Sequence, residues 1–155
     1  HKDKKVPRCQ GRSYKDKVPV FGILERDGKV VAKVVPNVYG DTLLSIVNEY
    51  VTEGSIVYTD GAGYPGINID YEQRNVDHNK HFYGTTYATD EGEIIVVSTN
   101  GIENVWSHFK RMIFGIYYRV SRKYMQRYID EYIFRFNTRN YTDSQRFNLL
   151  LRNVA

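Results

Sequence analysis

The sequence predicts one mixed α/β domain, and three observations carry the prediction. Apolar runs of strand length occupy positions 18–24 and 29–35, joined by an Asp27-Gly28 pair of the kind that closes a hairpin. From Leu43 onward, apolar residues recur instead at helical spacing before a further apolar run ends at Thr59. The order strand, strand, helix, strand, followed mainly by helices, fits a mixed sheet flanked by helices with a helical C-terminal part. A chain of 155 residues is the length of a single domain and can bury one sizeable core. With 41% hydrophobic and 26% charged residues, the composition is that of a globular protein and not of a disordered one.

Each element has a local reason. His1 to Lys17 is polar and aperiodic, so 1–17 reads as a basic arm or loop. Val18 to Leu24 is the first strand and Lys29 to Val35 its return. Gly40-Asp41-Thr42 starts a helix carrying Leu43, Leu44, Ile46, Val47, Tyr50 and Val51, and Gly54 ends it. Ser55 to Thr59 reads as a buried strand that delivers Asp60 at its C-terminal end. Gly61, Gly63, Pro65 and Gly66 mark turns, Asn75 to His78 is a candidate short strand, and Glu93 to Thr99 is apolar enough for another. A helix opens at Asn100 or Gly101, buries Ile102, Val105, Trp106, Phe109 and Ile113, and closes at Gly115. A longer helix spans Ser121 to Asn137 with Met125, Ile129, Tyr132, Ile133 and Phe136 as its core stripe, and a last one spans Ser144 to Arg152. No repeat or second domain is visible.

Charge is distributed unevenly. The 22 basic and 18 acidic residues give a net charge of +4, a mild lean toward a polyanionic partner. The excess lies at the two ends. Lys15 and Lys17 belong to the first cluster, and Lys110, Arg111, Arg119, Arg122, Lys123 and Arg127 to the second, while 49–93 leans acidic. Solvated helix faces would produce the same pattern. The single Cys9 cannot form an internal disulfide, which favours a reducing compartment. No apolar run reaches the roughly 18 residues of a membrane span, so no membrane partner is expected.

Two carboxylates stand out. Asp60 follows a strand, at the sheet edge where α/β proteins place ligands. Glu103 falls in the first turn of a helix, and Lys110 lies about two turns further on the same side, with Ser107 between them. A strand-end and a helix carboxylate facing one pocket could hold a divalent metal, the chemistry of enzymes that cut or join nucleic acid. On spacing alone, a turn-forming Asp, an N-terminal helix charge and an exposed Lys are the commoner readings. Asn100, Asn104 and His78 are possible site neighbours, and the histidines show no zinc-ligand spacing.

Three segments resemble a known family: Lys15-Asp16-Lys17-Val18-Pro19-Val20-Phe21-Gly22, Val57-Tyr58-Thr59-Asp60, and Ser98-Thr99-Asn100-Gly101-Ile102-Glu103-Asn104-Val105-Trp106-Ser107. They are similar to the ISXO-like insertion-sequence transposases, relatives of the Merlin elements. Phe109-Lys110-Arg111, Gly115-Ile116-Tyr117, Gln126-Arg127-Tyr128 and Glu131 to Asn137 extend the similarity over nearly the whole chain. The resemblance implies a ribonuclease H-like catalytic domain with an Asp-Asp-Glu triad, using Mg²⁺, or Mn²⁺ as substitute, to cleave and transfer DNA strands. It matches Asp60 to the second carboxylate, Glu103 to the third and Lys110 to the basic residue after it. The first Asp is expected before residue 1, with neither Asp3 nor Asp16 in its place, which would make 1–155 an N-terminally truncated domain inactive alone. Where the family often has His-Thr-Asn this chain has Ser98-Thr99-Asn100. The implied partners are element terminal repeats, target DNA and further copies of the chain, in a bacterial cytoplasm at the nucleoid. A catalytically inactive DNA-binding or oligomerisation module and a generic ribonuclease H-like nuclease are the alternatives.

Overall fold

The computed structural model describes residues 17–60, 64, 66–76, 85–88, 92 and 94–152. Strand β1 (Val20–Leu24) and strand β2 (Val30–Val34) form an antiparallel hairpin in which Gly22 faces Ala32. Asp27 takes the left-handed conformation, φ 56°, that a tight hairpin turn requires. Helix α1 (Gly40–Tyr50) leads to β3 (Ile56–Thr59), and the short α2 (Ile67–Asp70) leads to β4 (Glu72–Asn75), which pairs parallel with β3. Strands β5 (Thr85–Ala88) and β6 (Ile94–Val97) form a second antiparallel pair. Helix α3 (Asn100–Met112) continues into a π-helical turn, Ile113–Tyr117. A 3₁₀ turn, Arg122–Tyr124, then enters α4 (Met125–Asn137), and α5 (Asp143–Arg152) follows.

The mixed α/β class holds, and the strands form three two-stranded sheets among the described residues. What joins the layers is the hairpin, whose two faces are both buried. Alternation sends Val20 and Leu24 of β1, with Val30, Ala32 and Val34 of β2, against Val105, Phe109, Ile129 and Tyr132 of α3 and α4. It sends Phe21 and Ile23 the other way, into a cluster with Leu44 and Val47 of α1, Val57 of β3, and Ile67 and Tyr71. Val30, Val105 and Ile129 are essentially inaccessible, and burying each such side chain stabilises by about 1.5–3 kcal/mol. Gly22 faces Trp106 so closely that a Cβ would collide with the indole ring. That fixes how near α3 lies to the hairpin.

The outer edge of β2 is closed by side chains instead of by a strand. Asn137 accepts from the Val30 N–H at 2.8 Å and donates to the Val30 carbonyl at 2.9 Å. Gln126 accepts from the Val34 N–H at 2.7 Å and donates to the Ala32 carbonyl at 3.2 Å. From Gln126 to Asn137 the helix completes about three turns, so both amides project from one side. Each imitates a peptide group and satisfies the edge as a neighbouring strand would.

Several boundaries differ from the sequence expectation. The first strand begins at Val20, because Pro19 uses its carbonyl to receive the Val35 N–H at 3.1 Å and has no N–H for a ladder. The strand before Asp60 is only partly buried, with Ile56 exposed. The strand expected at Asn75 to His78 lies earlier, at Glu72–Asn75, and positions 77 and 78 are outside the described residues. Glu93 to Thr99 does contain a strand, β6. Gly115 does not stop α3, which widens into the π turn instead. Tyr117 anchors that turn to α4 through a hydrogen bond to Glu131 and an edge-to-face contact with Tyr128, ring centroids 4.7 Å apart. The Glu131 carboxylate raises the Tyr117 pKa above the usual phenol value. No helix among the described residues is long and apolar enough to cross a membrane.

The amide closure predicts a specific cost. Asn137→Ala leaves both polar groups of Val30 without partners at the core boundary and should lose about 2 kcal/mol or more in urea unfolding. A loss within about 0.5 kcal/mol, as at an ordinary surface site, would mean that the edge does not depend on the amide.

Candidate nucleic-acid interface and carboxylate site

Asp60 projects from the first position after β3 and is exposed. The residue before it is locked. The Thr59 hydroxyl donates to Asn75 Oδ1 at 2.6 Å and accepts from Gln73 Nε2 at 2.8 Å, and the Thr59 carbonyl accepts from the Val76 N–H at 2.9 Å. Thr59 is itself buried. The strand end that carries Asp60 is therefore held by both the side chain and the backbone of its neighbour.

Glu103 is exposed in the first turn of α3. Its backbone N–H donates to the Thr99 carbonyl at 3.2 Å, and the Thr99 hydroxyl donates to its carboxylate at 3.3 Å. The helix dipole favours a negative charge at this point. Asn100 donates its N–H to Ser98 Oγ at 3.0 Å and, like Asn104 and Ser107, is exposed on α3. Lys110, also exposed, lies seven residues past Glu103, which brings it to within about 20° of the same side of the helix and about 10 Å along the axis. The core side of α3, carrying Val105 and Phe109, faces away from that row.

The approaches to the two carboxylate-bearing segments are linked through the tip of the hairpin. The start of α3 abuts the end of β1, since a Cβ on Gly101 would stand 2.7 Å from Leu24 Cδ2. Just beyond Leu24, the Arg26 guanidinium lies 5.2 Å from the ring centroid of Tyr58, two residues before Asp60. The same guanidinium donates to the Val96 carbonyl at 3.2 Å, on the strand that leads into α3. One arginine thus ties the approach to Asp60 to the approach to Glu103. Sequence reasoning assigned Glu25 to Gly28 only a turn. An Arg at a hairpin tip carries no local signal of what it will touch.

No group of three or more His, Cys, Asp or Glu that could hold a metal ion is present among the described residues. The donors at hand are two exposed carboxylates, hard oxygen ligands of the kind a divalent magnesium or manganese ion prefers, and by themselves fewer than such an ion takes. His78 lies outside the described residues, as do Asp16, Asp77 and Asp90.

The model of the ISXO2-like transposase domain family matches residues 1–137. The chain belongs to this family. An uncharacterized transposase-like protein of Haemophilus influenzae is 34% identical over 111 residues, covering 70% of this chain and 81% of that protein. No solved structure matches. Helix α5 falls beyond the span of the family match.

The basic residues of this transposase-family domain lie where a polyanion can reach them. Lys17, Arg111, Arg119, Arg122, Lys123 and Arg127 are all exposed, and Lys15 lies outside the described residues. The tyrosines with helical spacing grade from core to rim, as their period implies. Tyr132 is buried, Tyr128 packs against the core, and Tyr124 is 41% exposed. Lys123 and Arg127 flank the Tyr124 ring at 5.2 and 5.1 Å from its centroid, making a cationic aromatic platform at the start of α4.

The tie through Arg26 is testable by hydrogen exchange. Arg26→Gln should leave the core intact and speed exchange of the amides at 57–59 and 97–103 by about threefold, the equivalent of losing an exposed cation–π contact of about 0.5–1 kcal/mol. Unchanged protection in both segments would show that they are held independently.

Proposed function

We propose that this domain cleaves and transfers DNA strands at insertion-element ends, with Asp60 and Glu103 as two carboxylates of an Asp-Asp-Glu site on a ribonuclease H-like framework. The observation that supports the reading is Arg26 at the hairpin tip, which touches Tyr58 on the strand leading to Asp60 and Val96 on the strand leading to Glu103. The three layers support the framework, since a central hairpin has α1 on one face and α3 with α4 on the other.

The reaction is phosphoryl transfer. In cleavage, water attacks phosphorus and the 3′-oxygen leaves with the proton; in strand transfer, a 3′-hydroxyl attacks instead. Asp60 and Glu103 are the residues that would hold divalent magnesium. The ion, when bound, lowers the pKa of an attacking oxygen and stabilises the leaving one. The chain's own contribution is positioning. Thr59 holds the strand end that carries Asp60, Thr99 donates to the Glu103 carboxylate, and Lys110, on the Glu103 side of α3, holds a phosphate of the bound strand. The exposed cations of α3 and α4 carry the rest of the DNA backbone. The same cations would serve a DNA-binding and oligomerisation module without catalysis, and the carboxylates separate the two readings.

The test is cleavage of a duplex carrying the element's terminal repeats, in Mg²⁺ or Mn²⁺, by the complete gene product. Asp60→Asn and Glu103→Gln should each lower cleavage at least on the order of 100-fold, since even outer-shell changes at metal sites cost about 10- to 100-fold. DNA affinity should change little. Variants that cut as well as the parent would remove both residues from the site.

A further inference from the structure

Apolar and aromatic side chains stand in solvent where α3 gives way to α4. Phe114 is 73% exposed, Ile116 68% and Tyr118 77%. Tyr118 follows the π turn with φ 55° and ψ −42°, a backbone state that a residue with a Cβ rarely adopts. The fold therefore keeps a large ring in water at a strained position, which neither burial nor backbone preference explains. The contact of Tyr117 with Tyr128 brings the end of the π turn back against the first turn of α4. There Tyr124, itself 41% exposed, carries Lys123 and Arg127 over its ring.

The surrounding charge narrows what can cover these side chains. Between Glu103 and Asp130 the chain has Lys110, Arg111, Arg119, Arg122, Lys123 and Arg127, and no Asp or Glu. All six of these cationic residues are exposed. A second copy seating this segment against itself would set like charges opposite one another, which disfavours association. The partner that fits is a polyanion that also offers flat apolar faces. A nucleic acid with unpaired bases is both. In a fully paired duplex the base faces are stacked on one another, and only base edges, sugars and phosphates are open to a protein.

We propose that the segment from Phe114 to Tyr124 takes up unpaired bases of DNA, with the Tyr118 ring as the stacking face and Lys123 and Arg127 on the phosphates beside it. Stacking on an aromatic ring tolerates any base, so this contact reads the opening of the strands and not their sequence. The inference rests on the DNA reading above and names a state of the DNA that the domain selects.

Binding by the full chain is compared between a paired duplex and the same duplex carrying a short internal run of unpaired thymines, which stack weakly on one another. The parent should prefer the opened duplex by about fivefold or more, the equivalent of one stacked base. Tyr118→Leu keeps bulk and apolarity without a ring and should lose most of that preference. Its affinity for paired duplex and its salt slope should stay at the parent's values, since no charge is removed. Tyr118→Trp should keep the preference. Equal binding of the two duplexes by the parent, or an undiminished preference in Tyr118→Leu, would overturn the proposal and leave the DNA reading intact. No binding of either duplex by the parent would overturn both. Sedimentation without DNA and flotation with anionic phospholipid vesicles test the other occupants. Self-association or vesicle binding that Tyr118→Leu abolishes would overturn the proposal, and its absence, or its persistence in that variant, supports it.

Discussion

The structure depends on a two-stranded hairpin that is buried on both faces and capped along one edge. A lone hairpin is marginal in water, and here each of its surfaces is given a partner. Phe21 and Ile23 are taken up by the α1 side, and Val20, Leu24, Val30, Ala32 and Val34 by α3 and α4. The β2 edge is taken up by the side-chain amides of Gln126 and Asn137. Helix α4 thus contributes apolar contact through Ile129 and Tyr132 and polar closure through residues at its two ends. Losing the amides would leave buried peptide groups unsatisfied, a larger penalty than the bonds themselves are worth in water.

That anchoring gives the hairpin tip a defined place. Because Gly22 admits Trp106 and Gly101 admits Leu24, the start of α3 is pressed against the end of β1. Val57 of β3 shares one apolar cluster with Phe21 and Ile23 of β1 and Val47 of α1. Arg26 then spans the two approaches. Both carboxylates are exposed to solvent, and the Thr99 hydroxyl donates to that of Glu103.

What the sequence made legible follows from how local each signal is. The Asp27-Gly28 turn, the Leu43–Val47 spacing in α1 and the stripe from Met125 to Phe136 are local patterns, and each became the expected element. Strand β4 was not legible where it lies, since Glu72-Gln73-Arg74-Asn75 has no strand-like composition and is extended only because it pairs with β3. The π turn was missed because Gly115 signals a stop as readily as a widening. Asp60 and Glu103 were singled out by residue type and context, but the Arg26 contacts that link their two approaches depend on packing between elements far apart in the chain. Tyr132 was read correctly as core.

The central claim is that Asp60 and Glu103 act as a pair on one metal-bearing site. The most direct measurement is anomalous diffraction from crystals of the complete gene product soaked in Mn²⁺. The account predicts manganese coordinated by oxygens of both carboxylates, with two ions within about 4 Å of each other if the pair site fills completely. Manganese bound elsewhere, with the Asp60 and Glu103 carboxylates directed apart, would contradict it.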